Sequence, residues 1–265
     1  MSQANGKVVI VTGGTFGIGQ AMTILLAERG WSVVACGLDS VQPGSIAKGG
    51  SVATRALLTE KGLEADIHEC DVSKAADVER FVATAFDRYG RIDGLVNNAA
   101  IHPRGNILET SEDMFERVVA VNLKGMFLVT KAVLPHMIAA GSGAIVNVGS
   151  GSGWGKADLL AYCASKGGVH GMTMALAYDH LHQHIRVNCL IPGGTVTGMT
   201  SGEHRSPSFN PTSARTVSGR HNEPEDLARA CAFLLSDDAA QISGAYLDVG
   251  SFALQGGPVP NRGPR

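Results

Sequence analysis

The chain has 265 residues, 44% hydrophobic and 17% charged, with a formal net charge of -2. That balance gives no reason to expect a nucleic-acid or anionic-membrane partner, and the length suits one large α/β domain better than two. The five cysteines (Cys36, Cys70, Cys163, Cys189 and Cys231) are widely spaced without a C-x-x-C pair, so neither a metal site nor a disulfide framework is suggested.

Residues 1–7 have neither the charged region nor the apolar core of a signal peptide. No apolar run reads as long enough to span a bilayer. A soluble cytoplasmic protein is the expectation.

The first strand, Lys7 to Val11, runs into Thr12-Gly13-Gly14-Thr15-Phe16-Gly17-Ile18-Gly19, and a helical pattern follows as far as Gly30. Strand, glycine-rich turn and helix form the context in which such glycines bind a dinucleotide. Gly13 and Gly17 let the backbone approach a pyrophosphate, and Gly19 lets helix and strand pack closely. The helix N-terminus offers unpaired N–H groups and a positive dipole to the phosphates.

A second strand, Trp31 to Cys36, leads to Gly37-Leu38-Asp39. An acidic group here meets the ribose hydroxyls of NAD, whereas an Arg accepts the extra phosphate of NADP. Asp39 lies slightly past the strand end, so a solvated loop role stays open. Neither residues 15–16 nor residues 37–38 carry a basic side chain, which favours NAD; Lys48, in the Gly/Pro-rich loop 40–50, is the residue that can reverse this.

The strand Ala65 to Cys70 ends in Asp71-Val72, and the next helix carries the stripe Val78, Phe81, Val82, Ala85, Phe86 and Tyr89, a core face. The strand Ile92 to Asn97 runs into Asn98-Ala99-Ala100, at the sheet edge where ligands bind. His102 and Arg104 follow in a loop, as substrate contacts or as solvated residues. A long helix from Ser111 to Met137, with Ser111 as its cap, contains Asn122 on a stretch that reads as buried. A buried amide needs several partners, and a water chain is one way to supply them.

Gly143 to Gly149 is a strand with Ser150 at its C-terminal end, and the helix Leu159 to Leu181 carries Tyr162 and Lys166. Positions four apart share a helix face. A phenol titrates near 10, and a nearby ammonium favours its ionised form. Lowering the phenol by about 3 units takes about 4 kcal/mol, which Lys166 and a cationic nicotinamide ring can supply together. Ser150 would hold a carbonyl or alcohol oxygen while Tyr162 passes the proton. With these two groups to polarise the oxygen, no metal is expected.

The strand Ile185 to Leu190 ends in Pro192-Gly193-Gly194-Thr195-Val196-Thr197. Residues 198–221, with His204, Arg205, Arg215, Arg220 and His221, have the composition of a substrate lid. Its arginines either grip an anionic substrate or are exposed lid charge. Pro224 opens a helix to Leu235, Gly244 to Val249 is the last strand, and residues 252–265 have no periodicity.

In this combination the chain resembles the short-chain dehydrogenase/reductase family over roughly residues 7 to 251. The resemblance rests on Thr-Gly-x-x-x-Gly-Ile-Gly at 12–19, Asn-Asn-Ala at 97–99, Asn122, Ser150, Tyr-x-x-x-Lys at 162–166 and Pro-Gly at 192–193. It implies a doubly wound parallel seven-stranded sheet in the order 3-2-1-4-5-6-7, with helices on both faces, and a homo-oligomer, tetramer or dimer.

The resemblance also assigns roles. Tyr162 would be the proton donor or acceptor, Lys166 would lower its pKa and bind the nicotinamide ribose, Ser150 would orient the substrate oxygen, and Asn122 would hold a water linking Lys166 to solvent. Gly13, Thr15, Phe16, Gly17, Ile18, Gly19, Asp39, Asp71, Val72, Asn98, Ala99, Pro192, Gly193, Thr195 and Thr197 would line the dinucleotide with Tyr162 and Lys166. Three positions depart from the pattern: Ala100 replaces a Gly, Gly149 stands where Ser is frequent (expected to be harmless), and Gly250-Ser251 replaces an Asp-Gly.

The resulting expectation is an NAD-preferring enzyme that interconverts a secondary alcohol and its ketone. An enoyl reductase on the same scaffold spaces its Tyr and Lys more widely. A non-catalytic dinucleotide sensor is the alternative of a different class.

Overall fold

A computed structural model describes residues 6–39, 50–195, 197, 220 and 222–250. Of the predicted lid only Arg220 is among them; Lys48 and the tail lie outside the described residues.

Seven strands form one parallel sheet: β1 Val8–Thr12, β2 Ser32–Gly37, β3 Asp66–Glu69, β4 Gly94–Asn97, β5 Gly143–Val148, β6 Ile185–Pro192 and β7 Tyr246–Val249. Their order is β3-β2-β1-β4-β5-β6-β7, and every pairing is parallel. The helices between them are α1 Gly17–Glu28, α2 Gly50–Glu60, α3 Ala75–Tyr89, α4 Glu112–Val119, α5 Gly125–Ala140, α6 Leu160–Asp179 and α7 Pro224–Leu235. The chain is a doubly wound α/β fold, as the alternation of strands and helices requires.

Strand alternation divides the core in two. Val9 and Val11 of β1 face Met22 and Leu26 of α1 and the apolar side of α7, whereas Val8 and Ile10 face α3, α5 and α6. All five residues of β1 are buried, as expected for a central parallel strand covered on both faces. The α3 stripe packs as its spacing predicts: Val78, Phe81, Val82 and Ala85 are buried, with Phe86 and Tyr89 at the margin.

Two expectations are corrected between residues 112 and 140. The long helix is not uniformly α-helical, because Ala120–Lys124 is a π-helical segment in which the Gly125 N–H donates to the Ala120 carbonyl. One wide turn of this kind inserts a residue and turns Asn122 inward. The continuous helical run Glu112–Ala140 is also long and apolar enough, by length and composition, to cross a membrane. Part of its apolar content serves the core: Val129, Val133 and Met137 pack against the sheet with α3 and α6, while Phe115, Phe127 and Ile138 are exposed.

Candidate active site

The glycine turn is built for close approach. A methyl placed on Gly13 would stand 2.9 Å from Ala99 Cα, and one on Gly19 would stand 2.0 Å from the Gly13 carbonyl oxygen. Only glycine at 19 lets the first turn of α1 rest on the end of β1. Thr12 Oγ1 accepts from the main-chain N–H groups of Asn98 and Ala99 at 3.0 and 3.2 Å, and Asn98 Nδ2 donates back to the Thr12 and Gly13 carbonyls. The ends of β1 and β4 are therefore fastened together. The residue before α1, Phe16, supplies no side-chain cap, and the first turn carries no acidic residue. Its amide donors and positive dipole end suit a diphosphate.

The predicted proton-transfer residues converge at the next strand ends. Lys166 is 3% exposed on α6, and its ammonium donates to the Val148 carbonyl at 2.7 Å, two residues before Ser150. Burial pushes this ammonium down to about 8. Its nitrogen lies 5.7 Å from the centre of the Tyr162 ring, one helical turn earlier. Ser150 is extended at the end of β5 and heads the 3-10 turn Gly151–Trp154, its hydroxyl accepting from the Ser152 N–H. The His102 ring stands edge-on against Tyr162, with centroids 4.3 Å apart.

The loop carrying His102 is pinned at both ends. Asn122 Oδ1 accepts from the Ile101 N–H at 2.8 Å, and Nδ2 donates to the Ile101 carbonyl and to Ser165 Oγ. Gly105 exchanges backbone hydrogen bonds with Asp158 and Leu160 at the start of α6. The Asn122 amide finds its partners in the protein atoms of Ile101 and Ser165. It works as a main-chain-like bracket between the β4 loop and α6.

Comparison with known proteins agrees with this geometry. Residues 7–207 match the family profile described as short chain dehydrogenase. The chain is 36% identical to 2-(S)-hydroxypropyl-CoM dehydrogenase 3 of Xanthobacter autotrophicus, over 97% of this chain and 98% of that one. It is 36% identical to meso-2,3-butanediol dehydrogenase of Serratia marcescens, over 96% and 98%. A crystal structure of an actinorhodin polyketide ketoreductase variant with NADPH superposes with a TM-score of 0.83 at 33% identity, over 93% of this chain and 96% of that one.

The chain belongs to the short-chain dehydrogenase/reductase family. As a short-chain dehydrogenase/reductase it is an oxidoreductase acting on CH–OH groups, in a family that uses nicotinamide dinucleotides.

Within that family frame, the remaining predicted cofactor residues fall around the strand ends. Asp39 lies beyond β2, and both its carboxylate oxygens accept from Ser51, one from the main-chain N–H at 3.0 Å and one from the hydroxyl. Asp39 thus anchors the first turn of α2, a role its sequence position did not announce. Asp71 accepts from the N–H and hydroxyl of Ser73, hydrogen bonds that hold its carboxyl below the usual range against the opposing effect of burial. Val72 packs on Gly125, where a methyl would come within 2.8 Å of it.

On the far side, the Gly193 N–H donates to the Val249 carbonyl, and Thr195 Oγ1 donates to the Gly193 carbonyl. Thr197 stands over Gly17, with a methyl on that glycine 3.5 Å from its Cβ. Arg220 forms a bidentate pair with Asp226, at 2.6 and 2.9 Å. It sits at the start of α7, with its charge directed into a protein ion pair.

Sequence reasoning missed the bracing residues. Asn97 Nδ2 donates to Thr130 Oγ1 and Asn147 Oδ1, and Asn147 Nδ2 donates to Thr173 Oγ1. This ladder ties α5, β4, β5 and α6 behind the site. The available signals were Asn97 in the Asn-Asn-Ala run, read there only as part of the family pattern, and Asn147 in an otherwise apolar strand. His170, discussed below, was also missed.

Proposed function

We propose that the protein is an NAD-preferring dehydrogenase or ketone reductase that interconverts a secondary alcohol and its ketone, with Tyr162 as proton donor and acceptor. The observation that carries this reading is the placement of the buried Lys166 ammonium. Anchored on Val148, it lies beneath the Tyr162 ring and beside the strand end that bears Ser150. A cation held there favours the phenolate, so the phenol can trade its proton near neutrality. Ser150 holds the substrate oxygen, and Tyr162 delivers the proton to it in reduction or takes it in oxidation.

A bound nicotinamide supplies the hydride chemistry. Gly13 and the residues 15–19 would hold the dinucleotide's diphosphate, Asp71, Val72, Asn98 and Ala99 would line its adenosine and ribose side, and Pro192, Gly193, Thr195 and Thr197 would line its nicotinamide side. Lys166 binds the adjoining ribose. Asn122 serves by holding the loop of His102 and, through its π-helical segment, a water path from Lys166.

NAD is preferred because Asp39 places a carboxylate after β2, with no basic side chain at residues 15–16 or 37–39. A 2′-phosphate would meet negative charge there. The names of the two enzymes compared above denote secondary alcohols, which supports the substrate class. Large apolar side chains exposed on α4 and α5 (Phe115, Phe127 and Ile138) and near the end of α6 (Tyr178 and Leu181) support a homo-oligomer. Five free cysteines suit a cytoplasmic location.

The test is turnover of 2,3-butanediol, 2-propanol, cyclohexanol and their ketones with each dinucleotide. The proposal expects at least one pair to react, with NAD favoured over NADP in kcat/KM. Dinucleotide binding without turnover of any of them would point to the sensor instead.

A further inference from the structure

We propose that His170 is a positioning residue for Ser150: its imidazole fills the space beneath the loop 149–154 and holds the Ser150 main chain in place. The inference rests on the reading of Ser150 as the group that orients the substrate oxygen.

His170 lies one turn beyond Lys166 on α6 and is 6% exposed. Its ring presses on two glycines of the Ser150 loop. A methyl on Gly153 would stand 2.3 Å from its Cε1, and one on Gly149 would stand 2.9 Å from its Nε2. The Trp154 indole covers the ring with centroids 4.2 Å apart, the Tyr246 ring meets it edge-on at 5.5 Å, and the Tyr246 hydroxyl donates to the His170 carbonyl. The imidazole is thus gripped from α6, from β7 and from the loop itself.

The Ser150 main chain faces the ring and favours its charged form, while Nε2 is buried without a hydrogen-bond partner. An Nδ1–H directed at the Ser150 carbonyl is therefore part of the proposal. The titratable groups around it are Lys166 on its own helix, Cys189 on β6 and Tyr246 on β7. Burial, and then the Lys166 ammonium, push the imidazole down to about 4, so it is neutral at physiological pH. A neutral ring leaves the cation of Lys166 without a like-charged neighbour at this position.

The loop needs such a support. Gly149, Gly151 and Gly153 place three flexible positions around one functional hydroxyl, and glycine contributes little stiffness of its own. His170 also bears on Gly149, a departure from the family pattern that was expected to be harmless. A side chain there would strike Cys189, Ile191 and the imidazole together.

Two variants separate the donor from the volume. His170→Leu keeps the bulk and removes the N–H; His170→Gln keeps an N–H donor. With the fastest alcohol of the panel above and NAD, His170→Leu is expected to lower kcat about tenfold. Its KM for NAD should stay within about twofold of wild type, and His170→Gln should retain at least half of wild-type kcat.

Hydrogen exchange of the peptide covering 149–155 in the free protein gives a readout independent of turnover. The Leu variant should exchange about tenfold faster there, and the Gln variant like wild type. Wild-type exchange in the Leu variant overturns the proposal, as does faster exchange with unchanged kcat. A wild-type protein inert towards every alcohol and ketone would sink the catalytic reading instead; the exchange rates then decide by themselves whether His170 holds the loop.

Discussion

The ammonium of Lys166 is bound to the main-chain carbonyl of Val148 at 2.7 Å, so the cation beneath Tyr162 is fixed to the strand that presents Ser150. Lys166→Met removes the charge and leaves the Val148 carbonyl without that donor. Turnover should fall at least about 100-fold, and the pKa that limits kcat/KM on the proton-transfer group should rise. A pH profile of the variant checks both.

The bracket made by Asn122 predicts a stability effect. In Asn122→Ala the Ile101 N–H and carbonyl and Ser165 Oγ lose the partners they have now. A fully buried group left unpaired costs about 1–3 kcal/mol, and the two Ile101 groups are only partly buried, so a loss of about 2–4 kcal/mol is expected in urea unfolding. A loss below about 0.5 kcal/mol would show that the bracket is dispensable.

Alkaline pH should destabilise the protein through its buried thiols. Burial raises Cys231 well above its ordinary 9.0 and pushes Cys189 up to about 12. Both stay neutral in the fold at pH values where the unfolded chain ionises them. Their contribution is complete below pH 9 and is lost as pH rises towards 12. Lys166, lowered from 10.5 to about 8, acts in the opposite direction between those values. Cys231→Ala should therefore flatten the fall in melting temperature between pH 9 and 11. An unchanged slope would contradict the assignment.

Asp39 joins two properties, cofactor choice and the anchoring of α2. Asp39→Asn keeps an acceptor for Ser51 but removes the charge that opposes a 2′-phosphate. The ratio of NADH to NADPH affinity should drop about fivefold, the equivalent of about 1 kcal/mol. Separate titrations of the two dinucleotides, followed by fluorescence transfer from the protein, measure it.

The α3 stripe and the shared helix face of Tyr162 and Lys166 were legible because each rests on local pattern, whereas the strand order followed from the family resemblance. Strand alternation and helical periodicity are set by near neighbours in sequence, and the Tyr-x-x-x-Lys spacing fixes a shared helix face. The partners of Asn122, Asp39 and His170 were not legible. Asn122 reaches Ile101 through a π-helical turn that no periodicity signals, and Ser51 meets Asp39 across a loop of no regular pattern. His170 stands in a helix where the same spacing suits an apolar residue, and its contacts come from Gly149, Trp154 and Tyr246 on other elements. The membrane-length run 112–140 shows the converse: composition alone does not distinguish a helix buried on a sheet from one that crosses lipid.

The most direct measurement is turnover and NADH affinity of Tyr162→Phe beside wild type, on the same alcohol and at the same pH. Loss of the hydroxyl removes the transferable proton and leaves the ring against His102. The account predicts an NADH dissociation constant within about twofold of wild type, with turnover reduced about 10²- to 10⁴-fold. Turnover equal to wild type would contradict it and remove Tyr162 from the mechanism.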